Sequence, residues 1–332
     1  MIRQGLNTAN CVGVSVKRLV LLLCVAVCGV VVVRAQFDPQ IGQFMYMPTA
    51  YNPAAAGEDD LMKVAGMHRM QFTGIKNAPM TTYFSFSSPF VIGKTKHAAG
   101  VRFMNDRFGL FSNQALHAQY AYRQRLGKGY LAVGVDLGFV NISFANDSVN
   151  LDRLSADYFT SSDPALPKGQ GGNGMTFDMG VGIWYSAPSF WVSASMSHLT
   201  YPTLHWSDES DFHLKGTMYV AGGYNWRLKN KNWVLKPSAM VMSDFRSWDV
   251  NIAMTAELKE RYRFGLSYRI LGNVGILLGM DIISGLQIGY TYELPTSKLI
   301  LESYGSHELY LAYGFDILKP KRTNRYKSVR YL

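Results

Sequence analysis

The chain has 332 residues and a formal net charge of +10. The surplus sits at the two ends, in Arg3, Lys17, Arg18 and Arg34 and in Lys319, Lys321, Arg322, Arg325, Lys327 and Arg330, with 23 basic and 23 acidic residues between them. A neutral body of this kind is no nucleic-acid-binding surface, and three cysteines confined to Cys11, Cys24 and Cys28 leave it without a disulfide framework or a thiolate metal site.

Residues 1–35 read as a secretory signal peptide. Lys17 and Arg18 precede an apolar run over residues 19–33, and Val33 and Ala35 set cleavage before Gln36. The run is shorter than the ~20 residues of a spanning helix. Residues 36–60 do not alternate. Phe44, Met45, Tyr46 and Tyr51 are too apolar for a free tail, and Asn52-Pro53 followed by Ala54, Ala55, Ala56 and Gly57 is a turn into a tight small-residue passage. The spacing predicts a plug-like segment packed into the mouth of whatever follows.

From residue 61 to 317 the sequence breaks into alternating segments of roughly ten residues bounded by turn residues, the length of a tilted membrane-spanning strand. Leu116, Tyr120 and Tyr122 alternate with His117, Gln119 and Arg123. Leu131, Val133, Val135, Leu137 and Phe139 alternate with Ala132, Gly134, Asp136 and Gly138. The pattern predicts about 14 strands in an all-β, transmembrane antiparallel barrel, near 61–73, 81–90, 97–105, 114–125, 129–141, 174–186, 189–199, 215–228, 231–243, 247–258, 260–271, 273–283, 285–295 and 307–317. The competing fold, a soluble β-sandwich, has strands nearer five or six residues.

Aromatics near segment ends, among them Tyr130, Trp184, Trp191, Trp226 and Trp248, read as interfacial girdles. Short connections after even-numbered segments and long ones over 106–113, 141–173, 200–214 and 296–306 place both termini, and a basic tail over 318–332, on the periplasmic side.

Chemistry-bearing motifs are sparse. Residues 169–174 are Gly-rich without the Lys-Ser/Thr of a phosphate loop and read as a loop tip. His205 and His213 flank Asp208, Glu209 and Asp211 in one connection, for which a solvated loop is the default and a metal the alternative. The lumen-facing acids Asp136, Asp178, Asp249, Asp281, Asp316, Glu257 and Glu293 have Arg102, Arg123, Arg263 and Arg269 as candidate partners, and a charged ladder filling the lumen outweighs a catalytic constellation. The expectation is a non-enzymatic barrel without cofactor or metal.

The stretch from Asp38-Pro39 through Gln43 to Asn52-Pro53-Ala54 and Gly57 resembles the opening signature of the PorP/SprF family, outer-membrane proteins of the type IX secretion system of Bacteroidetes. Arg69 with Gln71, then Ala78-Pro79 with Thr81, resembles the block that follows, and residues 308–315 fit the family's closing strand. Met47 before Pro48, Phe72 and Asn77 depart from the usual pattern. The resemblance implies an adaptor, in some lineages gliding-associated, between periplasmic ring subunits (a lipoprotein, a ring protein and a peptidoglycan-binding subunit) and the outer-membrane translocon or its cargo, in contact with outer-membrane lipid. The six tail cations, Lys319 to Arg330, are the candidate partner-binding residues, with a disordered end and contact with lipid headgroups as the alternatives. The competing function is a plugged 14-stranded transporter.

Overall fold

The computed structural model describes residues 38–144, 172–207, 210–230, 232–270, 272–283 and 285–316. The expected signal peptide over 1–35 and the basic tail from Lys319 to Arg330 lie outside the described residues, as do Asp208, Glu209 and most of the connection over 141–173.

The wall is antiparallel. Its strands are β1 (Met62–Met70), β2 (Met80–Ile92), β3 (Thr95–Phe108), β4 (Phe111–Leu126), β5 (Gly129–Phe144), β6 (Gly172–Ser186) and β7 (Phe190–Ser197). A separate hairpin follows, β8 (Thr203–Ser207) with β9 (Ser210–His213). The wall resumes with β10 (Thr217–Tyr224), interrupted at Asn225 before β11 (Trp226–Arg227), then β12 (Trp233–Ser243), β13 (Trp248–Leu258), β14 (Tyr262–Arg269), β15 (Asn273–Ile283), β16 (Leu286–Pro295) and β17 (Ser306–Phe315). From β1 to β7 and from β11 to β17 each strand pairs with the next, β10 pairs with both β7 and β12, and β1 pairs with β17, so the sheet closes. With β10 and β11 as one broken strand, the barrel has the 14 strands that the period of two predicts.

The two faces divide as in a membrane barrel. Leu116, Val133, Val135, Leu137, Phe139, Ile252, Phe264, Leu266, Leu309 and Leu311 are exposed on the outside. His117, Gln119, Arg123, Asp136, Asp178, Thr255 and Arg269 are buried inside with many alanines and glycines. Tyr310, the one bulky residue on the inner face of β17, is wholly buried and donates its hydroxyl to the Tyr46 carbonyl at 2.9 Å.

The connections also divide. One rim carries only short turns, such as those between β2 and β3, β4 and β5, and β15 and β16. The opposite rim carries the longer connections over 71–79, 145–171, 198–216 and 296–305. The chain enters β1 and leaves β17 at the short-turn rim.

Three expectations change. The connection over 106–113 is a tight turn at Gly109, because β3 and β4 stay paired as far as Phe108 and Phe111, whose rings stack at 5.3 Å. Its polar residues look like loop in sequence but belong to a tall part of the wall, β2 to β6, where strands run 13 to 16 residues against 8 in β7. Trp184 and Trp191 are not girdle residues. They stack on one another at 4.7 Å beside Ala54 and Ala55 inside the barrel, whereas Trp226 and Trp248 are exposed. Gly172 and Gly174, read as loop tip, open β6.

Candidate functional site

Residues 38–60 form the core of the barrel. Ile41, Phe44, Met47, Tyr51, Ala54 and Ala56 are at most 2 % exposed. The segment was expected at one mouth; it runs instead from the long-loop half, where Asp38 meets His198 and Tyr219, to the short-turn rim, where Gly57 meets Ala98. Two 3-10 turns, Pro48–Ala50 and Pro53–Ala55, make it compact. A proline suits the first turn of each because the N–H it lacks has no intrahelical partner there.

The segment is held at three depths. In the long-loop half, Arg69 of β1 reaches Glu293 of β16 at 2.7 Å and Glu308 of β17 at 3.0 Å, all three essentially unexposed. Glu308 also accepts the backbone N–H groups of Gly42 and Gln43, both at 2.7 Å, and Glu293 accepts Asn273 at 2.9 Å. One arginine is therefore shared by two buried carboxylates, and one of those carboxylates grips the segment's backbone. A Cβ at Gly42 would lie 2.7 Å from the Glu293 carboxylate, which keeps the position without a side chain.

A second network joins Asp38 to the wall. Its Oδ2 accepts the Tyr219 hydroxyl at 2.6 Å, and its Oδ1 lies 2.9 Å from His198 Nε2. His198 Nδ1 lies 2.8 Å from Asp178, so both ring nitrogens face carboxylates and the imidazole is a cation between them. Burial alone pulls the His198 pKa down; the charges of Asp38 and Asp178 outweigh it and hold it at about 10. Burial likewise pushes Asp38 up, and His198 more than reverses it, so its pKa is lowered. His117 reaches Asp178 at 3.0 Å and Arg102 at 3.3 Å. Arg102 pairs with Asp136 at 3.1 Å and donates to the Ala50 carbonyl.

Lower down, Asn52 accepts the Ala54 N–H at 2.9 Å and donates to the carbonyls of Ile183 and Ala194 at 3.0 and 3.4 Å, bridging β6 and β7. At the short-turn rim Arg123 donates to the Gly57 carbonyl, to the Glu58 carbonyl at 2.8 Å and to Asp60 at 2.8 Å. Lys96 also meets Asp60, at 2.6 Å. Gly57 has φ +66°, a conformation open to glycine. Beside this fastening a cavity of about 550 Å³ opens at the same rim, lined by both signs of charge, among them Glu58, Lys63, Lys236, Glu257 and Arg263.

Most of the motif residues singled out in the sequence meet here. Asp38, Gln43, Asn52, Ala54, Gly57 and Arg69 make the contacts above, Pro39 is buried, and Pro53 opens the second turn. Pro79 does not: its carbonyl closes the connection over 71–79 by accepting the Gln71 N–H at 2.9 Å. Of the candidate arginines and acids, Arg102 pairs with Asp136, Arg263 with Asp281 and Arg269 with Asp249, whereas Arg123 turns to the segment. Sequence reasoning missed Glu308 and the histidines His117 and His198; the available signal was that Glu308 shares its face with Tyr310. His213 hydrogen-bonds Thr203 within the hairpin, and among the described residues no group of three or more His, Cys, Asp or Glu side chains is arranged to hold a metal.

A family model described as type IX secretion system membrane protein PorP/SprF matches residues 33–313, nearly the whole chain. The chain belongs to the PorP/SprF family. No curated protein matches it. Solved structures similar to this PorP/SprF chain include the outer membrane protein Omp33 of Acinetobacter baumannii, at 7 % identity and TM-score 0.44 over 77 % of this chain and 98 % of that one. The toluene transporter TodX of Pseudomonas putida is similar at 10 % identity and TM-score 0.44, over 84 % and 95 % of the two chains. The monoaromatic hydrocarbon channel CymD is similar at 11 % identity and TM-score 0.45, over 85 % and 95 %.

Proposed function

We propose that this PorP/SprF protein is a non-enzymatic barrel adaptor of the type IX secretion system, linking periplasmic ring subunits to the outer-membrane translocon or its cargo. The observation that supports this reading is the fastening of residues 38–60 along the barrel interior by buried charged groups at several depths, which makes wall and core one body. A rigid filled barrel suits docking at both rims. In this reading the short-turn rim faces the periplasm and the tail cations, Lys319 to Arg330, reach an acidic surface of a ring or peptidoglycan-binding subunit. The transporter alternative asks for an apolar path, and the cavity at the short-turn rim is lined by charged groups instead.

Deletion of residues 319–332 tests the reading. The expected result is a heat-modifiable barrel in the outer membrane that no longer co-purifies with ring lipoproteins and supports less secretion. A deletion variant normal in both respects refutes the tail's role. Steady ion conductance of the intact protein in planar bilayers argues for the transporter instead.

A further inference from the structure

The wall has a step where β6 meets β7. β6 pairs with β5 along all of Gly172–Ser186, but with β7 only over residues 181–186. Beyond that the sole backbone bond in the described residues is from the Leu199 N–H to the Met179 carbonyl, at 2.9 Å, after which the chain leaves the wall for the β8–β9 hairpin. Along an antiparallel strand the N–H and C=O of one residue point to the same side, and the side alternates. Met179 points toward β7, so Asn173, Met175 and Phe177 do as well. Their backbone groups meet no strand among the described residues, while those of Gly174, Thr176 and Asp178 belong to the β5 ladder.

An unpaired edge of this kind recruits another strand. The side chains beside it say which strand fits. Met175 and Phe177 point outward, 70 % and 46 % exposed, and Phe177 packs edge-to-face on Phe139 at 6.0 Å. On the inner side β8 packs against β6, and its Leu204 is buried. We propose that the edge of β6 over residues 173–177, unpaired among the described residues, is a docking strand for an extended segment of another protein, with apolar side chains facing outward beside Met175 and Phe177 and small ones facing in. This rests on the reading of the chain as a docking barrel and names the mode of contact at its long-loop rim.

A photo-reactive phenylalanine at position 175 in intact cells tests it, with position 135, outward on β5, as control. The expected result is a polypeptide adduct at 175 and none at 135. M175P then removes only an N–H on the open side, a substitution an edge tolerates. It should keep heat-modifiable migration and lower the adduct formed from position 177 about tenfold, the worth of a lost hydrogen bond or two. In the purified full-length barrel, amides at 173, 175 and 177 should exchange faster than those at 174, 176 and 178. Equal adducts at both positions, an adduct from 177 unchanged by M175P, or equally slow amides, as when the chain's own residues 145–171 cover the edge, each overturn the proposal. Because tail deletion leaves this edge untouched, an adduct that survives that deletion separates failure of the tail's role from failure of the edge.

Discussion

Replacing Arg69 with methionine (R69M) keeps the length and apolar stem of the side chain and removes the cation shared by Glu293 and Glu308. The two carboxylates would then face each other with at most 4 % exposure and no counter-charge. Breaking a buried pair by removing one partner costs about 3–5 kcal/mol. Two backbone N–H groups still reach Glu308 and Asn273 still reaches Glu293, which puts the cost near the lower bound. About 3 kcal/mol is roughly a hundredfold shift from seated toward released segment. Limited chymotrypsin digestion of the refolded barrel reads that population, since Phe44, Tyr46 and Tyr51 become cleavable only when the segment leaves the lumen. The expected outcome is cleavage accelerated by about that factor with the wall still heat-modifiable. The triple variant R69M/E293Q/E308Q, which removes the stranded charges, should recover most of the loss. Cleavage of R69M within twofold of the unsubstituted protein would refute the argument that this ion cluster holds the core in place.

Three further outcomes follow from the same geometry. N52A removes a cap and two bridging hydrogen bonds and should lower stability by about 1–2 kcal/mol, read as a shifted denaturant midpoint. G57A adds a Cβ 2.7 Å from that of Ala98 at φ +66° and should lose far more than G93A, whose φ is +61° but whose added Cβ meets nothing within 4 Å; relative folding yields check this. The His198 pKa is raised from 6.5 to about 10, so its contribution is fully present below pH 6.5 and lost as pH rises through about 10, whereas the lowered Asp38 contributes above 3.8 and is lost in acid. Protease resistance of the segment should therefore be greatest between about pH 4 and 6.5 and decline toward 10, and H198N should flatten the alkaline limb.

The barrel was legible because a period of two is imposed on every strand by one lipid-facing and one lumen-facing side. The same period exposed Tyr310 as an exception, and the structure explains it by the Tyr46 carbonyl. The set of inward charges was legible too, Arg269 and Asp249 among them, because the period of two puts both on the inner face; which of them pair was not. The Arg69 cluster was not, since its partners lie 224 and 239 residues away. Periodicity gives the face of a residue but not which distant backbone reaches it. The placement of Trp184 and Trp191 failed for a related reason: an aromatic near a strand end faces lipid or lumen according to a one-residue parity, and the alanine run that makes room for the stacked pair lies far away in sequence. The tall wall was obscured because its polar outward residues, such as Arg107 and Gln114, resemble those of a loop.

The grip of Glu308 on Gly42 and Gln43 bears on how the protein is assembled. β17 is made after the other strands of this wall, and it both closes the sheet against β1 and holds the backbone of residues made before β1. Residues 38–60 run straight into β1, so a sheet that sealed before they were seated would shut them out. The seam can form only around an occupied interior, and any insertion machinery that handles this chain must hold β1 and β17 apart until residues 38–60 have been taken in.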